Sequence, residues 1–210
     1  MPVEARAMKD LHAFLTKAQI DKMIEGCEYL MDRVLIRMLQ RTGMRVSELV
    51  KPGKGRNPVL GLRVSDVLWD EHALIIRHAK RKGNPVRRID VDVETLVILK
   101  EYLDKRPTKS EFVIPVGRQM AYLIVRRAAE RVGITEVGDS LVSQRRHPHP
   151  HHLRHTFCTQ AIKKSGGKLE EVARLQRYVG HANISTTMSY LDISDEEQRK
   201  WYDDLWKEEK

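Results

Sequence analysis

Apolar positions recur at helical spacing along most of this chain, and the exceptions are confined to one central stretch. Thr16-Lys17-Ala18-Gln19 has the form of a capping box, and Ile20, Met23 and Ile24 follow at three- and four-residue intervals, so a helix starts here. Leu30, Val34 and Met38 mark a second apolar stripe over residues 29–40, which Gly43 closes. Arg45 stands just past that helix end, at the start of VSELV. Residues 51–59, KPGKGRNPV, have loop composition. Three β-like runs come next, LRVSDVLW, ALIIRHA and VRRIDVDV, with KRKGNP as the turn between the last two. Helical patterns resume over Val93–Lys105 and residues 118–132, and from Pro150 the chain reads as helical with short breaks. The expected fold class is α+β, mostly α, with a small antiparallel three-stranded sheet set among helices.

Composition narrows the partners. A chain of 210 residues is long enough for one substantial domain, and no repeat or low-complexity tract divides it. Lysine and arginine number 38 against 29 acidic residues, a net charge of +9, which favours a polyanionic partner. No apolar run approaches the roughly 18 residues of a membrane span, and Glu4, Lys9 and Asp10 interrupt the first residues, so a cytoplasmic location is expected. Cys27 and Cys158 form no CxxC pair and are expected to be reduced packing thiols.

The chemistry lies in four short elements far apart in sequence. Pro150 suits a first helical turn, which puts His151 and Arg154 on one face near a helix N-terminus, with Leu153, Phe157 and Ala161 on the opposing core-facing stripe. An imidazole and a guanidinium beside free backbone N–H groups suit a phosphate. The pattern Leu169–Val179 stops at Gly180 and leaves His181 at the mouth of the next turn, after which Asn183 or Ser185 can cap a short helix carrying Tyr190. Arg45 and a lysine of AKRKGN complete the set. Cleaving a phosphodiester with a side chain takes a nucleophile, a proton donor for the leaving oxygen, and cations for the charge of the transition state. A free tyrosine is ionised in only about one molecule in a thousand at neutral pH, so Tyr190 needs a neighbouring base, and His151 or His181 can serve. Each residue taken singly reads as a surface charge or a packing aromatic. Their ordered combination does not.

Together, TGMRVSEL, PHHLRHTF and GHANISTTMSY resemble the catalytic domain of the tyrosine recombinase (phage integrase) family, nearest to Xer-type and archaeal integrases, over residues 14–190. That resemblance implies the family's DNA breaking-rejoining fold and a catalytic set of Arg45, Lys82, His151, Arg154, His181 and Tyr190. It implies attack by Tyr190 to give a 3′-phosphotyrosyl intermediate and a free 5′-hydroxyl. Arg45 and Arg154 would clamp the non-bridging oxygens, His181 would add a hydrogen bond, Lys82 would protonate the leaving oxygen, and His151 would be acid/base partner of the phenol. Lys80 shares the strand face of Lys82 at period two and stays open as the catalytic lysine. Glu48 is expected to orient Arg45 or a neighbouring lysine. Lys80, Arg81, Lys51, Lys54 and Arg56 are the expected DNA-binding cations, although the 51–59 loop also reads as a plain surface insertion. Double-stranded DNA is the expected partner, with a homotetramer on paired sites.

No cofactor or metal is expected. His151, His155 and Cys158 recur at i, i+4 and i+7, a spacing that can hold zinc, but no HExxH glutamate accompanies them and Arg154 would bring a positive charge to the ion. The expected division is a linker remnant at 1–13, the catalytic domain at 14–193, and a C-terminal tail at 194–210. The tail's aromatic stripe, Trp201, Tyr202, Leu205 and Trp206, is expected either to fold back on its own domain or to dock on a neighbouring protomer. Full-length members clamp DNA with a further N-terminal core-binding domain, which this chain is expected to lack. His149 stands where relatives carry a small hydroxyl residue, which bears on the helix cap only. The rival readings are a non-catalytic DNA-binding module of the same fold, a type IB topoisomerase-like relaxation activity, and a zinc protein.

Overall fold

The computed structural model describes residues 15–53, 60–77, 86–137, 147–165 and 168–180. Helix α1 (Lys17–Glu25) begins at the foreseen box: Thr16 accepts the Gln19 N–H, and the Gln19 side chain accepts the Thr16 N–H at 2.8 Å. Helix α2 (Leu30–Thr42) ends where Gly43 turns left-handed, at φ 59°. The single stripe expected for α2 proves too narrow. Leu35, Ile36 and Leu39 are as deeply buried as Val34 and Met38, because α1, α4, α5 and α6 all pack around it. Complete burial of each such side chain contributes about 1.5–3 kcal/mol, which makes α2 the axis of the core.

Helix α3 (Val46–Leu49) is one turn long and starts immediately after Arg45. The three-stranded sheet has the order β1-β2-β3 with antiparallel neighbours, from β1 (Val67–Leu68), β2 (Ala73–Arg77) and β3 (Val86–Asp90). The first strand is far shorter than the run LRVSDVLW suggests. Asp66 accepts the Arg63 N–H at 3.1 Å and pairs with Arg77, so Val64–Asp66 curls into a 3-10 turn before any strand can form. In the β2–β3 ladder the last pair is Arg77↔Val86, so the residues between them, 78–85, join the strands.

Helices α4 (Val93–Lys105) and α5 (Arg118–Arg131) match their sequence patterns. Residues beside α5 also pin the expected loop: the Lys51 N–H donates to Ile114 O at 3.0 Å, and the Val113 N–H to Leu62 O at 2.9 Å. Lys51 and Leu62, on either side of residues 54–59, thus meet at one place. Gly61 permits the approach, since a Cβ there would lie 2.1 Å from Val50 O.

Helix α6 (Pro150–Ser165) crosses α2, and α7 (Leu169–Val179) packs on α6 and β3. A second apolar cluster, built from Cys158, Ile162, Val172, Leu175 and Val179, glues α6 to α7, with Phe157 and Ala161 half-buried against it. Of the three residues foreseen on α6's core stripe, Leu153 alone enters the main core. Neither cysteine forms a disulfide, and both are buried, Cys27 in the main core and Cys158 between α6 and α7. No helix among the described residues is long and apolar enough to cross a membrane.

Candidate active site

The site forms where the C-terminal turn of α7 meets the loop between α2 and α3. Arg154 is buried on α6; its Nη1 donates to Gly43 O at 2.5 Å and its Nη2 to Val179 O at 2.8 Å. Arg45 donates from Nη2 to Gly180 O at 3.0 Å. Two guanidinium groups from distant parts of the chain therefore grip consecutive carbonyls at the end of α7, where the helix dipole favours positive charge. Gly180 breaks that helix in a left-handed conformation, φ 68°, so the chain leaves the site at the position just before His181.

Burial, with the repulsion of Arg45 and Arg87 added, draws the Arg154 guanidinium down to about 10, which still leaves it charged at neutral pH. His151 sits in the first turn of α6 with an accessible ring. Desolvation first, then the charges of Arg154, Arg45 and Arg118, holds its imidazole below the ordinary histidine value, so it is neutral and able to accept a proton. Tyr178, close to this turn, is a poor nucleophile: burial raises it to about 12, and its hydroxyl donates to Asp90 O at 3.0 Å.

Glu48 contacts Arg45 at both backbone and side chain. Its Oε2 accepts the Arg45 N–H at 2.7 Å and its Oε1 lies 3.5 Å from Arg45 Nη1, the carboxylate itself being 2 % exposed. Its second partner is not a lysine. Arg87 of β3 donates from Nη2 to Glu48 Oε2 at 2.9 Å. Sequence reasoning missed Arg87, although a signal was present: Ile89 points into the core and Arg87, two residues earlier, shares its strand face.

His149, the departure at the helix cap, works as one. Its Nδ1 accepts the His151 N–H at 3.2 Å, and the His152 Nδ1 accepts the His149 N–H at 3.2 Å, a reciprocal cap made from two imidazoles stacked 3.9 Å apart. The rings of His151 and His155 meet edge to face at 4.7 Å. Among the described residues no group of three or more His, Cys, Asp or Glu side chains could hold a metal ion. Lys51 is exposed at the base of its loop. Lys54, Arg56, Lys80, Arg81, Lys82, His181 and Tyr190 lie outside the described residues, as do the 1–13 and 194–210 segments. The structure thus brings together Arg45, Glu48, Arg154 and His151, adds Arg87, and leads the chain directly to residue 181.

Buried Arg154 and half-buried Arg45 thus share the C-terminal turn of α7, and Glu48 ties Arg45 to Arg87 of β3. The chain belongs to the phage integrase family, whose model matches residues 13–197. It is 25% identical over 201 residues to tyrosine recombinase XerA of Pyrococcus horikoshii, covering 91% of this chain and 61% of that protein. It is 30% identical over 205 residues to tyrosine recombinase XerC of Herpetosiphon aurantiacus, covering 89% of this chain and 58% of that one. The chain therefore spans about three-fifths of the length of these relatives. Among solved structures it superposes on XerA recombinase with a TM-score of 0.65 at 22% identity, covering 93% of this chain and 66% of that one. It also superposes on the XerH site-specific recombinase bound to difH substrate, a pre-cleavage complex, with a TM-score of 0.68 at 21% identity, covering 96% of this chain and 56% of that one. The fold is the catalytic fold of the tyrosine recombinases.

Proposed function

We propose that this chain is the catalytic domain of a site-specific DNA recombinase that cleaves and rejoins strands of duplex DNA through a 3′-phosphotyrosyl intermediate. The observation that carries the reading is the convergence of Arg45 and Arg154 on the carbonyls of Gly180 and Val179, one residue before His181. Those carbonyls fix both guanidinium planes in advance, so neither group has to reorganise when charge builds on a phosphate.

In this reading the Tyr190 phenol gives its proton to neutral His151 and its oxygen attacks phosphorus. The bond to the 5′ oxygen breaks, and Lys82, in the sequence between β2 and β3, supplies the proton that leaves with it, Lys80 being the alternative. Arg45 and Arg154 stabilise the non-bridging oxygens and His181 donates a further hydrogen bond. The bond energy is kept in the tyrosyl ester, so attack by a 5′-hydroxyl of another strand restores DNA without a nucleotide cofactor. Residues 14–193 are the catalytic unit. The basic surplus of the chain serves phosphate contacts, from Lys51, Lys54, Arg56, Lys80 and Arg81 among others. Exchange between two duplexes calls for four such domains, a homotetramer on paired sites, and XerH, which the fold resembles, was captured on its difH substrate.

Incubation with a nicked suicide duplex and denaturing electrophoresis tests the proposal. A covalent protein–DNA band that disappears in Tyr190→Phe is the expected result. Tight DNA binding with no such band would favour the non-catalytic module, and relaxation of supercoils without recombined product would favour the topoisomerase-like activity.

A further inference from the structure

Arg87 belongs to none of the motifs that point to the reaction, yet its guanidinium lies inside the cluster that they form. Its side chain is 10% exposed, and Nη2 is bound to Glu48. Its Nε and Nη1 are buried without a hydrogen-bond partner among the described residues. Nη1 presses on the turn after α7 so closely that a Cβ on Gly180 would stand 2.0 Å from it, and 3.7 Å from Arg45 Nη1. Burying a cation with unused donors is costly and is expected only where some other gain offsets it. Pairing Glu48 is not gain enough, since Arg45 already pairs with that carboxylate.

Two features suggest the gain. Glu48 Oε2 receives both the Arg45 N–H and Arg87 Nη2, so Arg87 fixes the rotamer of the carboxylate that aims Arg45. Three guanidinium groups against one carboxylate also leave two positive charges in excess around the α7 terminus. A phosphodiester carries one negative charge, and its pentacoordinate transition state carries two.

We propose that Arg87 is a positioning residue for phosphoryl transfer, holding Glu48 and Arg45 in register and raising the site's field to match the doubly charged transition state. This rests on the strand-transfer reading above. The test uses the full chain, with single-turnover cleavage of a suicide duplex whose scissile linkage is either the ordinary phosphate or an uncharged methylphosphonate. Arg87→Ala is expected to cleave the phosphate about a hundredfold more slowly. On the methylphosphonate the loss should shrink to less than about tenfold, because less charge needs to be met. DNA affinity should stay within about twofold, and Arg87→Lys should recover part of the rate. The double variant with Glu48→Gln should be no slower than the slower single one, since the two side chains act as a unit. Thermal melting of each variant accompanies the rates, and Arg87→Lys carries the comparison if Arg87→Ala does not fold. Unchanged rates, or equal losses on both linkages, would overturn the inference while leaving the strand-transfer reading intact. Failure of the wild type to form a Tyr190-dependent adduct would overturn both.

Discussion

Gly43 shows how one missing side chain serves both core and site. Its left-handed φ ends α2, its carbonyl holds Arg154, and a Cβ would stand 2.3 Å from the Phe157 ring. Gly43→Ala combines left-handed strain with a clash in the α6–α7 cluster, so it should destabilise the fold by at least about 2 kcal/mol. Urea denaturation checks this, and an unchanged midpoint would contradict the packing described. Arg154 is tied to the same carbonyl. The bidentate grip on Gly43 and Val179 means that Arg154→Ala removes a structural brace as well as a charge, leaving two buried carbonyls without their donors. A loss of about 2–4 kcal/mol is expected, beyond the loss of cleavage. Arg154→Lys should fall between, because one ammonium cannot span two carbonyls that a planar fork spans. DNA affinity, measured well below the melting temperature, should change far less than the cleavage rate, since the contact matters most as charge builds on phosphorus. Equal losses of binding and cleavage would remove Arg154 from the reaction.

The first turn of α6 gives the site its dependence on pH. His151 titrates below the ordinary histidine value in the folded chain because partial desolvation and the surrounding guanidinium groups disfavour its charge. The unfolded chain therefore takes up the proton first, so this contribution to stability is complete above about pH 6.5 and is lost as pH falls through the depressed folded value. The melting temperature should be lower at pH 5.5 than at pH 7.5, and His151→Gln, which cannot take up the proton, should narrow that difference. A difference that His151→Gln leaves untouched would assign it elsewhere. Such elements were legible to different degrees. Helices α1, α4 and α7 could be read because their signals are local: a capping box at Thr16, helical spacing of apolar residues over Val93–Lys105, a glycine at 180. The first strand was overread because Asp66 bonds back to Arg63, a side-chain contact that composition does not weigh. Arg87 stayed hidden because its meaning depends on Glu48, 39 residues away, and on Gly180 at the far end of the fold.

At the scale of the whole molecule the question is where the surplus charge of +9 acts. Several arginines are spent internally: Arg37 on Glu94, Arg77 on Asp66, Arg87 on Glu48, Arg154 on carbonyls. The charges left for a partner are therefore drawn from elsewhere, and the basic 51–59 segment, which begins at exposed Lys51, is a candidate. Lys51 and Leu62 are pinched together by the hydrogen bonds to residues 113 and 114 and by the close approach of Gly61 to Val50, so the base is fixed while Lys51 stands exposed there. A fixed base lowers the entropy lost when a loop is ordered on a partner, which favours a phosphate-contacting role over an inert insertion. Each phosphate neutralised on duplex DNA releases counterions and adds about 0.9 to the slope of log affinity against log salt. If Lys51, Lys54 and Arg56 each meet a phosphate, replacing all three by alanine should flatten that slope by about 2 to 3 while changing sequence preference little. Binding titrations between roughly 50 and 200 mM salt would measure it. The described anchors of this segment are backbone hydrogen bonds at Lys51 and Leu62, so the melting temperature of the triple variant should match the wild type, and an unaltered slope in a normally folded triple variant would make the loop a surface insertion after all.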